Sequence, residues 1–193
     1  DFLIKKDYNV FGTFRRTSQR SFERLEKLGI FDNVTLFSAD LADQVSIQSV
    51  IKKTNPDEIY NLAAQSFVAS SFNQPLLTLD ITGVAVVRIL DSIRNYSPES
   101  KFYQASSSEM FGNLVGIKNE ETLFKPRSSY GAAKILGHHM AVNYREAYGQ
   151  FNSCGILFNH ESPLRGLEFV TRKITNSLSK IKNNKQTKLH LGN

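Results

Sequence analysis

The chain has 193 residues, 40% hydrophobic and 22% charged, enough for one domain with a substantial core and ordinary for a water-soluble globular protein. Its formal net charge of +6 is spread along the chain without a dense basic block among aromatics, which argues against nucleic-acid binding and suits attraction for small phosphorylated ligands. No apolar run of about 18 residues suggests a membrane span, the first seven residues lack a signal-peptide core, and the single cysteine, Cys154, precludes an internal disulfide, so a cytoplasmic setting and an inert, buried thiol are expected.

Taken in chain order, residues 2–6 read as the last turns of a helix leading into a strand over 8–14. Further apolar, β-rich runs follow at 34–38, 58–62, 101–107 and 153–159. Between them lie helical patterns: an apolar stripe at Ser46, Ile47, Val50 and Ile51 capped by Asp43, a longer one over 77–93 carried by Ile81, Val84, Val87, Leu90 and Ile93, and two more over 130–148 and 170–181. Residues 112–128 hold the breakers of a loop, and 189–193 read as the start of another strand. Alternating strand and helix predict an α/β fold, a doubly wound parallel sheet of Rossmann type covered on both faces, with strands apolar on both sides. The division expected is a dinucleotide-binding domain over 1–158 and the start of a smaller substrate-binding region over 159–193. A fold of this class has a first strand and a glycine-rich turn ahead of residue 1, so the chain is expected to be an internal fragment, with two sheet edges unpaired and unable to fold alone.

Four clusters carry chemistry. Tyr130 and Lys134 lie four apart on a predicted helix, where an ammonium beside a phenol favours the phenolate and makes it a base for a hydroxyl proton; the spacing alone equally describes a lysine laid over a tyrosine. Ser107, Ser108 and Glu109 end a strand, at the edge where open α/β sheets bind ligands; the alternative is a serine-rich loop. Asn159, His160 and Arg165 follow the last strand. One histidine there, and adjacent His138 and His139 elsewhere, give no metal-ligand spacing, so no metal is expected, and Arg165 is either a phosphate-binding or a solvated arginine. Arg15, Arg16, Thr17 and Ser18 follow the first strand, where arginine accommodates a 2′-phosphate and favours NADP over NAD, or forms a basic turn. Asp40 and Leu41 either touch an adenine or cap a helix, and Leu62, Ala63, Ala64, Gln65 and Ser66 either let a cofactor approach backbone or serve tight packing.

These motifs stand in the order of the extended short-chain dehydrogenase/reductases. More specifically, the strings Asn55-Pro56-Asp57-Glu58-Ile59-Tyr60-Asn61-Leu62-Ala63-Ala64-Gln65-Ser66, Phe102-Tyr103-Gln104-Ala105-Ser106 and Gly155-Ile156-Leu157-Phe158-Asn159-His160-Glu161-Ser162-Pro163 resemble the GDP-mannose 4,6-dehydratase family. So does Val142-Asn143-Tyr144-Arg145-Glu146. The resemblance implies that Tyr130 deprotonates the mannose C4 hydroxyl as hydride leaves C4 for NADP, that Lys134 supports Tyr130 and binds the nicotinamide ribose, and that Ser107 orients the C4 oxygen. It implies that Glu109 removes the C5 proton and helps expel the C6 hydroxyl as water, before hydride returns to C6. It also implies cofactor contacts at Arg15 to Ser18, Asp40, Leu41, Leu62 to Ser66, His160 and Arg165, and substrate contacts at Ser108, Asn159 and Lys173. The implied substrate is GDP-mannose and the implied assembly a homo-oligomer, dimer or tetramer. Leu77, where the family usually has tyrosine, and Leu164, in place of the first arginine of a pair, depart from the pattern, and 17–33 is short. The alternatives are another sugar-nucleotide dehydratase or reductase of this fold, which needs Tyr130 and Lys134 but not Glu109, and a catalytically silent nucleotide-binding scaffold.

Overall fold

In a computed structural model, which describes residues 1–19 and 21–191, the five β-rich runs form five strands, each parallel to its neighbours. Strand β1 (Val10–Phe14) pairs with β2 (Val34–Ser38), and β4 (Lys101–Ser107) runs between β3 (Glu58–Asn61) and β5 (Asn152–Leu157). Four boundaries differ from expectation, the smallest being that β5 starts one residue early, at Asn152. The first strand starts at Val10, because the chain leaves the 3-10 turn Ile4–Lys6 through Asp7 in the left-handed region (φ 61°). β3 stops at Asn61 and leaves Leu62 67% exposed. β5 stops at Leu157 because its ladder partner in β4, Ser107, is the last residue of that strand.

The expected single sheet is two, with orders β1-β2 and β3-β4-β5. Among the described residues no strand pairs with the second edge of β1 or of β3. Burial follows pairing. Central β4 is buried at Phe102 and from Gln104 through Ser107, whereas β1 and β2 have no buried residue and alternate half-buried with mostly exposed positions. The expectation that every strand is covered on both faces therefore holds for β4 and fails for β1 and β2.

Helix α1 (Glu23–Lys27) is a short turn before β2. Helix α2 (Gln44–Thr54) begins at Asp43, whose carboxylate accepts the backbone N–H of Val45 and Ser46, both at 3.1 Å. The stretch expected as one helix over 77–93 is broken into three. After α3 (Val68–Asn73), Pro75 opens α4 (Pro75–Leu79), a π turn spans Asp80–Val84, and α5 (Ala85–Tyr96) follows. The wider π turn rotates the helix face, so Val84, expected inward, is exposed, while Thr82, Gly83, Ala85 and Val86 are buried. The long helix α6 (Ser129–Tyr148) is capped by Ser128 and ends at Gly149 in the left-handed region. Ile47 and Ile51 of α2, Val86, Ile89, Leu90 and Ile93 of α5, Phe102 of β4, and Ala141 and Tyr144 of α6 form one core. Each large apolar side chain fully buried there contributes roughly 1.5–3 kcal/mol.

Residues from Asn159 onward form a second compact unit built on α7 (Val170–Lys182). Residues 189–191, expected to begin a strand, have no strand structure, and the rest of that expectation, Gly192 and Asn193, lies outside the described residues.

Candidate active site

The end of β4 and the start of α6 meet. Past Ser107 the chain turns through a 3-10 turn, Ser108–Met110, stabilised by the Ser107 hydroxyl accepting the Glu109 N–H at 3.2 Å. Ser107 and Met110 are buried, Ser108 is half-buried and Glu109 is exposed. The turn lies against the first turn of α6, where glycine permits the approach: a Cβ on Gly131 would stand 2.7 Å from the Glu109 carbonyl oxygen. The polar tip of the strand is thereby held beside Tyr130, the residue preceding Gly131 in α6.

Tyr130 is buried and Lys134 is 3% exposed, with the Lys134 Nζ 5.7 Å from the centroid of the Tyr130 ring. The ammonium donates to the Ala105 carbonyl at 2.7 Å, back along β4 from Ser107. Burial pushes the Lys134 pKa down to about 8, so at neutral pH the group still carries its proton but holds it less tightly than a surface lysine. One turn further along α6, the His138 Nδ1 lies 3.0 Å from the Ser106 hydroxyl, and burial pushes this histidine's pKa down as well.

Arg15, Arg16, Thr17 and Ser18 leave the end of β1 as an exposed irregular segment, open to an anionic ligand. Asp40 accepts the Ala42 N–H at 3.0 Å and closes a turn; the helix cap is Asp43. The half-buried Leu41 directs its carbonyl to Arg88, which also pairs with Asp80 of the π turn at 2.7 Å. Leu62 and Ala63, beyond β3, are exposed, as is Ser66, while Ala64 and Gln65 are half-buried. The Gln65 N–H is held by the Thr82 hydroxyl at 3.0 Å, and the Gln65 Oε1 is buried without a hydrogen-bond partner among the described residues. Small exposed residues beside an orphaned acceptor suit a bound dinucleotide, which supplies both backbone contact and donors.

The remaining predicted residues belong to the second unit. Asn159 and His160 are exposed, Lys173 is half-buried on α7, and the Arg165 guanidinium stacks 3.8 Å over the Phe169 ring with Glu161 3.6 Å from its Nε. Among the described residues no group of three or more His, Cys, Asp or Glu could hold a metal ion, and no helix is long and apolar enough to cross a membrane.

Three positions near these groups, Asn61, Gln104 and Thr82, have no role in the sequence reading, and a fourth, His138, is weighed there only as a metal ligand. Their only signal is a polar residue inside an apolar run. Asn61 and Gln104 occupy paired positions of β3 and β4, are 6% and 0% exposed, and bond to each other at 2.8 Å.

Among solved structures, the chain is similar to a dTDP-glucose 4,6-dehydratase from Bacillus anthracis in complex with NAD (TM-score 0.77, 22% identity, 92% of this chain and 55% of that one). It is similar also to RMD from Pseudomonas aeruginosa complexed with NADPH (TM-score 0.76, 19% identity, 93% of this chain and 64% of that one). Likeness at this identity establishes the class, a Rossmann-type α/β fold. The family model described as GDP-mannose 4,6 dehydratase matches residues 1–193. GDP-mannose 4,6 dehydratase 2 of Arabidopsis thaliana is 47% identical over 203 residues, covering 100% of this chain and 54% of that protein. The chain belongs to the GDP-mannose 4,6-dehydratase family, and it spans about half the length of the curated relatives it matches.

Proposed function

We propose that the full-length protein is an NADP-dependent lyase that dehydrates GDP-mannose to GDP-4-keto-6-deoxymannose. The observation that carries this reading is the buried Lys134 one helical turn from Tyr130, with the Ser107–Glu109 tip of β4 packed on that same end of α6. The chemistry a bound nicotinamide would supply is acceptance of hydride from C4 of the sugar and its return to C6. Ser107 orients the C4 oxygen, and Tyr130 takes the proton of the C4 hydroxyl, helped by the positive charge of Lys134. A ketone at C4 acidifies the C5 proton. The Glu109 carboxylate removes that proton and protonates the departing C6 hydroxyl, so water leaves; C5 regains a proton once hydride reaches C6, balancing the one Tyr130 took, and no net oxidation occurs. Glu109 is exposed, as a group that must reach a bound sugar should be.

In this reading the exposed Arg15 and Arg16, with Thr17 and Ser18, receive the 2′-phosphate of NADP, and Asp40, Leu41, Leu62, Ala63, Ala64, Gln65 and Ser66 flank the same cofactor. NAD and NADPH in the two solved neighbours support a nicotinamide dinucleotide, and the arginine pair supports the phosphorylated form. On the family resemblance, His160 and Arg165 are proposed as cofactor contacts, and Ser108, Asn159 and Lys173 as substrate contacts. The proposal includes a cytoplasmic setting and a homo-oligomer, dimer or tetramer.

The test is purified full-length protein with GDP-mannose and NADP, the product followed by mass and NMR. The expected product has lost one water, carries a 4-keto group and leaves no reduced cofactor behind. Glu109→Gln is expected to lower turnover by ~10²–10⁴-fold, the usual contribution of a general acid–base, with NADP affinity retained. Full activity in Glu109→Gln would sink the acid–base role given to Glu109, and a wild-type product that has lost no water would sink the dehydratase reading.

A further inference from the structure

Gln104 is fully buried in the middle of β4, yet both ends of its carboxamide are engaged. The Oε1 accepts from Asn61 Nδ2 at 2.8 Å, and the Nε2 donates to the Ala105 carbonyl at 3.1 Å. That carbonyl is the one that accepts Lys134 Nζ at 2.7 Å. Three side chains from β3, β4 and α6, each 6% exposed or less, are thus chained to one oxygen. An apolar side chain of the same volume would fill the space without needing partners, so what distinguishes glutamine here is its hydrogen bonds. Helix α6 passes close to the carboxamide: a Cβ on Gly137, three residues beyond Lys134, would be in ordinary contact with Gln104 Nε2 at 3.5 Å, while its tight approach, 2.9 Å, would be to Val86 Cγ2.

We infer that Gln104, braced by Asn61, is a positioning residue for the dehydration, fixing the Ala105 carbonyl and through it the place of the Lys134 ammonium beside Tyr130. The inference rests on the function proposed above. Two donors share the Ala105 oxygen, so the carboxamide limits the directions from which the ammonium reaches it. Asn61 also ends β3 immediately before the proposed cofactor segment at Leu62, so the bridge ties that segment to the lysine. Tyr130, whose ring centroid lies 5.7 Å from the ammonium, and His138, one turn on, share the helix of Lys134, and Glu109 is on the turn packed against Gly131. Neither Gln104 nor Asn61 is charged, so each acts on Lys134 only through its placement.

The test uses full-length protein carrying ¹³C-lysine, comparing wild type, Gln104→Met, Asn61→Ala and the double variant. The Lys134 titration is followed by its ε-carbon resonance, identified by its loss in Lys134→Met; this readout needs no turnover. Gln104→Met keeps the length of the side chain but removes both hydrogen-bonding groups. It is expected to move the Lys134 midpoint further down, because the Ala105 carbonyl stays but is no longer held in place for the ammonium, and to lower kcat about tenfold or more with KM little changed. Asn61→Ala is expected to do the same in smaller measure, and the double variant no more than Gln104→Met alone. An unmoved Lys134 midpoint in a folded, active variant overturns the positioning role. If Gln104→Met does not fold, Asn61→Ala decides on the same terms. A wild-type protein inert toward GDP-mannose instead overturns the function on which the inference rests.

Discussion

Lys134 is 3% exposed, and burial holds its pKa at about 8 against roughly 10.4 in an unfolded chain, a difference of about 3 kcal/mol spent on keeping a charge inside the protein. The sign follows from where the protons sit. Between about pH 8 and 10.4 the unfolded chain keeps a proton that the folded chain has shed, so stability rises with pH in that window and the cost is present in full below it. Lys134→Met in the full-length protein is therefore expected to be inactive yet more stable at pH 7, by about 2 kcal/mol after about 1 kcal/mol for the lost bond to the Ala105 carbonyl. The gain should shrink between pH 8 and 10, as urea unfolding at several pH values would reveal. A variant no more stable than wild type at pH 7 would mean that Lys134 is compensated in the fold. Cys154, expected to be buried, is half-buried against the core, and burial pushes its thiol pKa up. Tyr130 and Lys134 were legible because two polar side chains four apart on one helix must share a face. Gln104 and Asn61 were not, since a polar residue in a short strand marks an exposed face as readily as a buried network.

At the scale of elements, the Asp43 cap was readable, whereas the Ser128 cap and the helix phase were not. Asp43 before α2 and Ser128 before α6 are short side chains whose oxygens satisfy orphaned N–H groups within three residues, a purely local event. Ser128→Ala is expected to cost about 1 kcal/mol and to lower the melting temperature by roughly 2–4 °C, measurable by circular dichroism. Because Tyr130 lies in the first turn that Ser128 caps, kcat should fall as well; unchanged melting would show that the cap is dispensable. The π turn at Asp80–Val84 could not be seen from periodicity, which assumes a constant helix pitch. It is held from outside the helix, by Arg88 between Asp80 and the Leu41 carbonyl and by the Thr82 hydroxyl receiving the Gln65 N–H.

For the whole molecule the decisive feature is the division of the sheet. Strands β3, β4 and β5 carry a core with α2, α5 and α6, whereas β1 and β2 form a ribbon of two, and such a pair is marginal by itself in water. A polypeptide of these 193 residues is expected to lack a single cooperative melt. Amide exchange in β1 and β2 should be orders of magnitude faster than in β4, as hydrogen–deuterium exchange with mass spectrometry would resolve. One sharp transition with uniform protection would contradict this.

Strand and helix alternation, the doubly wound class, the Asp43 cap and the Ser–Glu and Tyr–Lys clusters were all readable in the amino-acid order, because each depends on residues within a few positions of one another. Contacts between elements settled the rest. Pairing partners decided where β5 stops and which strands are covered, the packing of Gly131 on the Glu109 carbonyl decided that the two clusters adjoin, and the convergence of Asn61, Gln104 and Lys134 on one carbonyl required three chain segments to be folded together. Hydrogen bonds and burial between residues 29 and 43 positions apart leave no periodic trace in the chain, and only the tertiary structure brings them into view.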